Sequence, residues 1–585
     1  MIEKKLNGQS EYTLEWAEGD YSVNSEVSRE GGIDVIRITF ASKTPVTPPV
    51  IKLSWDIPSV DIQGTWHPTG HIDRGVPGVW GGGHRSSAAS GSPMFSLYSS
   101  SGENRMTFAC SDAMNPLNYY FALREEDSRW LCYAKLFDTP TAECDSYECT
   151  MRVDYRNIRW DDAIGDVVRF WADMPMYSPM PAVDECRHPV YSTWYSFHQY
   201  AYGDEIEEVL ETAAPLGFKA VIVDDGWQME DSQRSYAYCG DWEVSPAKIK
   251  DMKAHVARVH AMGLKYYLWY SVPFVGVHSR AYETFKGKYF GSGDTVVLDP
   301  RYPDVREYLI SKYENAVKDW DLDGFKLDFI DSFRQPENEA ADAAPGRDYV
   351  SVPQAVDRLM TDIKKRLQAL KPNIAIEFRQ SYVGPLMRKY GNMFRAADCA
   401  NDTVINKIRT MDTRLCVGTS TVHSDMITWS REDTAESACL QFIATMFAVP
   451  QISVRPATLP KEHRLMMQNW IAFWESHRDT LLDGKLRLYS PELLYPIATA
   501  ESEAAYIAGI YASGTVVPAP SGNPAEIVIV NGSGYAGAVV RLPEGKYSIE
   551  VKDCLGNAVA SHDCVGGLCE IADLPVAGIA YIRRA

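Results

Sequence analysis

The chain has 585 residues, a formal net charge of −20, and hydrophobic residues making up 45% of the total. This length exceeds the usual domain size of about 100–200 residues, so two or three domains are expected. The negative charge disfavours nucleic acids and anionic membranes as partners. No run of about 18 apolar residues is present that would span a bilayer.

The N-terminus and the cysteines favour a reducing compartment. The first ten residues contain no apolar segment and no small-residue cleavage site, so a cytoplasmic location is predicted. The twelve cysteines form no CxxC pair or zinc-like cluster, and the histidines form no HExxH motif. We therefore expect free, mostly buried thiols and no metal or other cofactor.

The two ends of the chain are predicted to be β-structured. In residues 1–184, short alternating runs such as Gly32–Phe40 and Met106–Cys110 are separated by turn residues, and no convincing amphipathic helix is present. This pattern of short strands and turns indicates an N-terminal β-sandwich. Residues 488–585 are predicted to form a small C-terminal β-domain, with strands at Glu526–Val530, Ala538–Leu542, Tyr547–Val551 and Ile579–Ile582.

Between these ends, residues 185–487 alternate short apolar strands with amphipathic segments, which predicts a multidomain α/β protein with a central (β/α)8 TIM barrel. A doubly wound sheet is the competing fold. The predicted strands are Tyr191–Phe197, Ala220–Asp225, Lys265–Val272, Gly324–Ile330, Ile374–Phe378, Met393–Asp398, Gly418–His423 and Val449–Val454. The predicted helices include Asp204–Ala214, Lys248–Met262, Val305–Lys318, Gln354–Leu370 and Glu432–Phe447.

Four of the predicted strands end in acidic residues: Asp224 with Asp225, Asp328, Glu377 and Asp398. Catalytic groups of TIM barrels lie at the carboxyl ends of the strands. A single acidic residue there is often only a helix cap or a turn former. Several carboxylates converging on one barrel mouth indicate glycosidic cleavage, because that reaction needs one carboxyl to attack and another to protonate the leaving oxygen.

Three motifs carry a family resemblance. The second strand continues as Val-Asp-Asp-Gly-Trp, the fourth reads Gly-Phe-Lys-Leu-Asp-Phe and the sixth ends Arg-Ala-Ala-Asp. In this order they resemble glycoside hydrolase family 36, the microbial α-galactosidases, whose domain order is also similar. The resemblance implies that Asp328 is the nucleophile of a retaining reaction and Asp398 the acid/base. Asp402 is the rival acid/base, or else it caps the helix that follows.

The same resemblance implies a set of sugar contacts. Asp224 and Asp225 match the pair that binds the axial 4-hydroxyl and the 6-hydroxyl, while Trp227 and Trp194 would stack against the sugar ring. Lys326 would bind sugar hydroxyls and keep Asp328 ionised, or it would form only a structural ion pair. Trp269 is a weaker stacking candidate, because a Trp inside a barrel strand is more often packing.

The fifth strand departs from the family pattern. Where the family has a Cys-Ser-Gly-Gly-Gly-Arg-like loop, this chain has Glu377-Phe-Arg379-Gln380-Ser-Tyr382. Arg379 makes forked bonds to planar groups, so with Gln380 it could read a 2-acetamido, carboxylate or sulfonate group. Alternatively, Arg379 pairs with Glu377, Asp328 or Asp398 as scaffold.

Two further residues invite functional interpretations. In the family an N-terminal loop can reach over the barrel mouth, so Trp66 or His84 could touch substrate, although ordinary surface loops are the alternative. His423 closes the seventh predicted strand and could line the site or be a buried structural histidine.

The sequence therefore predicts a retaining exo-acting hydrolase of terminal α-galactosides or close variants. The alternatives are an α-N-acetylgalactosaminidase or a hydrolase of acidic α-glycosides read by Arg379, a transglycosylase of the raffinose-synthase type, and a non-catalytic carbohydrate-binding protein. The expected partner is an oligosaccharide or glycoconjugate, and a homo-oligomer is possible.

Overall fold

The structure is a computed structural model that describes residues 1–81, 83–233, 235–337, 339 and 341–585. All twelve cysteines are unpaired thiols and most are buried. In the described part of the chain, no helix has both the length and the apolar character needed to cross a membrane.

The N-terminal domain consists of two six-stranded antiparallel sheets, whose apolar faces share one core around Trp55, Phe95 and Phe108. The first sheet has the spatial order Ile2–Asn7, Glu11–Trp16, Ile51–Pro58, Arg129–Leu136, Leu117–Arg124 and His84–Ser86. The second has the order Tyr21–Glu30, Ile33–Val46, Cys144–Asp154, Asn104–Cys110, Met94–Tyr98 and Gly64–Trp66.

One helix in this region corrects the expectation that residues 1–184 lack helices. Helix Trp160–Ala172 buries Trp160, Ile164, Val168 and Trp171, which recur at the spacing of one helical face. This face packs against the rest of the core, and the helix also contacts the barrel helix Thr403–Val417.

The central domain is the predicted TIM barrel of eight parallel strands. The first to eighth barrel strands are Val190–Ser192, Ala220–Val223, Lys265–Ser271, Gly324–Asp328, Ala375–Arg379, Met393–Arg395, Thr421–His423 and Gln451–Ile452. Neighbouring strands pair in parallel register, and a bridge between His423 and Val449 joins the seventh strand to the segment entering the eighth. Several strands are shorter than predicted, because the residues beyond their ends turn into the loops of the barrel mouth.

The helices around the barrel match the predicted amphipathic segments and add others. They are Trp194–Phe197, Gly203–Ala213, Met252–Ala261, Arg280–Thr284, Pro303–Trp320, Val352–Leu370, Pro385–Tyr390, Thr403–Val417, Ala435–Ala444 and Lys461–Asp483. A small sheet with the order Phe274–Gly276, Thr295–Leu298 and Tyr289–Phe290 is inserted between the third and fourth barrel strands.

The C-terminal domain is a β-sheet that begins slightly before residue 488, because Lys485–Tyr489 already pairs with Ile497–Glu501. The remaining strands are Ala505–Ile510, Val516–Val517, Glu526–Asn531, Ala538–Lys552, Ala558–Ile571 and Ile579–Arg584. The two predicted strands within 538–551 form one long strand, whose register shifts between Leu542 and Lys546.

All three domains meet at the carboxylate of Asp412, on helix Thr403–Val417. Trp66 Nε1 and Tyr495 OH donate to Asp412 Oδ1 at 3.0 and 2.7 Å, and Arg74 Nη2 donates to Oδ2 at 2.6 Å. Asp412 is fully buried, and Arg74 is 3% exposed. Because Trp66 and Arg74 belong to the N-terminal domain and Tyr495 to the C-terminal domain, both are anchored to one barrel helix.

We expect Asp412→Ala to lower the thermal unfolding midpoint substantially, since removing one partner of a buried ion pair typically costs about 3–5 kcal/mol. Glu148→Ala is the control, because Glu148 pairs with Arg37 on the exposed surface, where ion pairs contribute little. Equal midpoints for the two variants, measured by scanning calorimetry, would contradict the structural role of Asp412.

Candidate active site

The acidic residues predicted from the sequence gather at the carboxyl ends of the second and fourth barrel strands. Lys326 and Asp328 lie two residues apart on the fourth strand, so both side chains point to the same side. Asp224 follows the second strand, and Lys326 Nζ donates to its Oδ2 at 2.5 Å. All three side chains are almost completely buried, so the barrel brings two carboxylates and one ammonium group together out of water.

The two oxygens of Asp328 are held unequally. Oδ1 accepts hydrogen bonds from Arg379 Nε at 2.7 Å, Phe329 N at 2.8 Å and Tyr382 OH at 3.2 Å. Oδ2 accepts only a longer bond, 3.3 Å, from Trp269 Nε1 among the described residues. Oδ2 is therefore the less engaged oxygen and the better placed to form a bond to a ligand.

The charges around Asp328 keep it ionised despite its burial. Burial opposes ionisation, but the positive charges of Arg379, Lys326 and Arg395 outweigh it and hold the pKa of Asp328 below its usual range. A permanently ionised carboxylate is what a nucleophile requires.

Asp225 sits in a different environment from its neighbour Asp224. Gln199 Nε2 and Gln228 Nε2 donate to Asp225 Oδ2 and Oδ1 at 2.5 and 2.7 Å, and no cation contacts it within the described chain. Burial raises the pKa of Asp225 to about 6. Asp224 therefore forms an ion pair with a lysine, whereas Asp225 accepts hydrogen bonds from two neutral amides.

Asp398 lies in the loop after the sixth barrel strand with 54% of its side chain exposed. Arg395 Nη1 is 2.9 Å from Asp398 Oδ1, and Arg409 Nη1 donates to the Asp398 carbonyl at 2.7 Å. Partial desolvation opposes ionisation, but Arg395 and Lys326 lower the pKa of Asp398 to about 2. In the unliganded protein Asp398 is therefore ionised, ready to accept a proton rather than to give one.

Asp402, the rival of Asp398, caps a helix. It is the N-cap of helix Thr403–Val417, and its Oδ1 accepts a hydrogen bond from Ile405 N at 2.9 Å. This contact satisfies one of the free N–H groups at the helix start. The capping alternative thus accounts for Asp402, whose side chain is exposed.

Arg379 and Gln380 connect the fifth and sixth strand ends. Besides its bond to Asp328, Arg379 donates from Nη1 to the Gln380 carbonyl at 3.2 Å. The Gln380 side chain is 1% exposed, and its Oε1 accepts from Ala397 N at 3.4 Å. The scaffold contact considered for Arg379 is thus present in the structure, and Gln380 supports the loop that carries Asp398.

Three predicted substrate contacts, Trp66, Trp227 and His423, have fully buried side chains that bond within the protein, so their substrate roles stay predictions. Trp227 donates its indole N–H to the Trp269 carbonyl at 2.9 Å and packs against Trp242 and Tyr270. His423 bonds to the Cys186 carbonyl at 2.8 Å. The indole N–H of Trp66 donates a hydrogen bond to Asp412. Trp194, in contrast, is partly exposed beside His198, so its stacking role stays a prediction.

Sequence reasoning missed several residues that shape the site. Tyr382 and Arg395 belong to the fifth- and sixth-strand motifs. A charged residue such as Arg395 inside a buried barrel strand needs a partner, so the sequence could have indicated its role. Gln199 and Gln228 gave no signal, since their contacts with Asp225 depend on loop geometry. Trp269, ranked low as a stacking residue, instead donates to Asp328.

A cavity of about 660 Å³ lies between the N-terminal domain and the barrel. Its walls include Arg85, Tyr147, Asp331 and Tyr349, but neither Asp328 nor Asp398. The cavity therefore adjoins the carboxylate cluster without containing it. Among the described residues, no group of three or more His, Cys, Asp or Glu side chains has a geometry suited to a metal ion.

The contrast between Asp224 and Asp225 predicts opposite stability effects. The pKa of Asp225 rises from 3.8 to about 6 on folding, so the unfolded chain ionises first as the pH increases. This difference destabilises the folded protein by about 3 kcal/mol above pH 6 and by nothing below pH 3. Asp225→Asn should therefore raise the unfolding midpoint relative to the unaltered protein, increasingly between about pH 4 and pH 7.

Asp224→Asn is the matched control, because it leaves the buried Lys326 ammonium without its partner and should lower the midpoint at neutral pH. A loss of stability in Asp225→Asn at pH 7 would contradict the buried-charge account of Asp225.

Parts of this chain resemble known proteins in sequence. The sequence profile of the Melibiase family matches residues 181–484. α-Galactosidase AgaA of Geobacillus stearothermophilus is 26% identical over 166 residues, covering 25% of this chain and 22% of the relative. α-Galactosidase Mel36A of Lactobacillus acidophilus is 27% identical over 158 residues, covering 25% of this chain and 20% of the relative. These alignments span less than a quarter of each relative's length.

Solved structures resemble the whole chain. The complex of the family 36 α-galactosidase AgaA from Geobacillus stearothermophilus with raffinose has a TM-score of 0.66 at 16% identity, covering 98% of this chain and 83% of that chain. The α-galactosidase from Lactobacillus brevis has a TM-score of 0.64 at 14% identity, with 98% and 86% covered. This likeness establishes the three-domain fold. Since the family profile covers more than half of its length, the chain belongs to the Melibiase family, as its resemblance to glycoside hydrolase family 36 implied.

Proposed function

We propose that this protein is a retaining exo-acting α-galactosidase, with Asp328 as the nucleophile and Asp398 as the acid/base. The observation that carries the proposal is the state of Asp328: buried, ionised, fixed through Oδ1 and comparatively free at Oδ2. Membership of the Melibiase family supports the substrate class.

In the first step, Asp328 Oδ2 forms a bond to the anomeric carbon while the bond to the glycosidic oxygen breaks. Asp398, which must take up a proton in the substrate complex because it is ionised in the unliganded protein, gives that proton to the oxygen, and a β-linked glycosyl-enzyme remains. In the second step, Asp398 takes a proton from water, the water oxygen bonds to the anomeric carbon, and Asp328 leaves. Two inversions return the α-configuration, and we expect the two carboxyls to be about 5–5.5 Å apart in the substrate complex.

The sugar is proposed to lie over the Lys326–Asp224 pair. An ammonium group donates to hydroxyl oxygens and carboxylates accept from hydroxyl protons, so Lys326, Asp224 and Asp225 together can bind neighbouring hydroxyls. An axial 4-hydroxyl points toward such a cluster on one face of the ring, whereas an equatorial one lies in the ring plane. Trp194 remains the candidate for stacking on the C–H face.

Arg379 separates the main proposal from its closest alternative. Its Nε donates to Asp328 and its Nη1 donates to the Gln380 carbonyl. These contacts favour a role in holding Asp328 over recognition of a 2-acetamido or acidic group. Transfer to another sugar instead of water remains an alternative, decided by product ratios at high acceptor concentration. A non-catalytic binding protein is disfavoured, because it would have no need for an ionised, oriented Asp328.

The nucleophile is tested first. The unaltered protein should release p-nitrophenol from its α-galactoside, and Asp328→Asn should lose this activity by about 10³-fold or more, since no covalent intermediate can form. Asp328→Gly with azide and α-galactosyl fluoride should yield β-galactosyl azide, because azide displaces fluoride with a single inversion.

No turnover of any α-galactoside by the unaltered protein would overturn the galactosidase proposal and favour 2-acetamido or acidic α-glycosides. Raffinose and stachyose belong in the substrate panel, since structures of the similar AgaA are complexes with these sugars.

The acid/base is tested by comparing Asp398→Ala with Asp402→Ala. We expect Asp398→Ala to keep substantial glycosylation by the activated p-nitrophenyl substrate, to be accelerated by azide, and to form α-galactosyl azide through two inversions. Asp402→Ala should lose about 0.5–2 kcal/mol of stability with its helix cap and should show no azide acceleration. The reverse pattern would make Asp402 the acid/base.

A further inference from the structure

Arg395 is a single buried cation surrounded by three carboxylates. It ends the sixth barrel strand, and its side chain has no solvent exposure. Its Nη1 donates to Asp425 Oδ1 and lies 2.9 Å from Asp398 Oδ1, while its Nε lies 3.6 Å from Glu377 Oε1. The three carboxylates come from three segments of the barrel: the fifth strand, the loop after the sixth and the loop after the seventh.

Two of these carboxylates are fixed and the third is not. Asp425 Oδ2 accepts from Tyr195 OH at 2.8 Å and from Cys399 N at 2.7 Å. Glu377 Oε2 accepts from the Gln451 amide, and both acids are buried. Asp398 has no such partners beyond Arg395 among the side chains described, and half of it faces solvent. The same nitrogen of Arg395, Nη1, therefore donates to the fixed Asp425 and contacts the half-exposed Asp398, while Glu377 lies on the Nε side.

We propose that Asp425 and Glu377 are positioning residues that share the guanidinium of Arg395 with Asp398 and thereby set the pH above which Asp398 loses its proton. The inference rests on the proposed role of Asp398 as acid/base. One cation cannot neutralise three anions, so each negative charge on Asp425 or Glu377 weakens the hold of Arg395 on the Asp398 carboxylate. The same charge also repels the Asp398 anion directly.

This sharing bears on how Asp398 can hold the proton that a general acid must give. A general acid must hold a proton near the working pH, yet Arg395 and Lys326 together lower the pKa of Asp398 to about 2. Burial raises the pKa of Glu377 to about 7 and that of Asp425 above its usual range. Glu377 therefore changes charge near neutral pH, and a negative charge on either buried acid counteracts the pull of Arg395 on Asp398.

Other charged or titratable groups face the same cluster from every side and stay unchanged in the variants below. Those acting on Asp398, Glu377, Asp425 or Arg395 include Lys326, Asp224 and Asp328, Arg379 on the fifth strand, Tyr195 beside the first strand, Cys186, Tyr267 on the third strand, Cys399 in the Asp398 loop and His423 on the seventh strand.

The test is the pH profile of kcat for melibiose, whose sugar leaving group needs a proton. The alkaline limb of kcat reports the loss of the Asp398 proton in the substrate complex. In Asp425→Asn one negative charge disappears, so Arg395 binds Asp398 more tightly and the limb should move toward acid by about one pH unit. Glu377→Gln should move it in the same direction, and it serves as the second variant if Asp425→Asn does not fold.

Two controls isolate proton donation. Asp412→Asn also removes a buried carboxylate paired with a buried arginine, but it does not touch Arg395, so its alkaline limb should stay in place. With α-galactosyl fluoride, whose leaving group needs little protonation, the alkaline limb should not shift in any variant.

An alkaline limb that stays in place, or moves toward higher pH, in the folded Asp425→Asn and Glu377→Gln proteins would overturn the inference while leaving the galactosidase proposal intact. Absence of melibiose turnover, and of every other α-galactoside, by the unaltered protein would overturn both together.

Discussion

Like charges repel most strongly where water is excluded, and the mouth of this barrel buries Asp224, Asp225, Asp328 and Glu377 beside the half-exposed Asp398. The fold accommodates them by placing a cation against some and not against others. Lys326 forms an ion pair with Asp224, Arg379 with Asp328 and Arg395 with Asp398. Asp225 and Glu377 receive mainly neutral amide donors. This distribution of positive charge lowers the pKa of Asp328 and Asp398, whereas burial raises the pKa of Asp225 to about 6 and that of Glu377 to about 7.

The distribution also explains the geometry of the loops. Arg379 and Tyr382 leave the fifth strand and turn back onto Asp328, while Gln380 supports the backbone at Ala397 beside Asp398. The loop that departs from the family pattern is thus the one that connects the proposed nucleophile to the proposed acid/base. A loop with this task has little freedom to vary without repositioning both carboxylates, whatever group of the sugar it also meets.

Much of this arrangement was predictable from the sequence, and the failures have physical causes. Apolar strands at regular spacing indicated the barrel, and acidic strand ends indicated Asp224, Asp225, Asp328 and Asp398. Helix Thr403–Val417 was expected only through Asp402 as its possible cap, because its buried face includes Asn406, Lys407, Asp412 and Thr413, so it lacks an apolar period. Trp227 follows Gly226, which has a φ of 115°, and its indole packs against Trp242 and Tyr270, so its stacking role stays a prediction.

The helix bearing Asp412 begins one residue after Asp402 and five after Asp398, and both flanking β-domains are anchored to it. The chain is therefore less modular than its three-domain outline suggests. A barrel excised as a minimal enzyme would leave a buried carboxylate without Trp66, Arg74 and Tyr495, on the helix that follows the loop carrying the proposed acid/base. Exchange of a β-domain between relatives would preserve the active site only if these partner residues travelled with it, so the domains are expected to have diversified together rather than by shuffling.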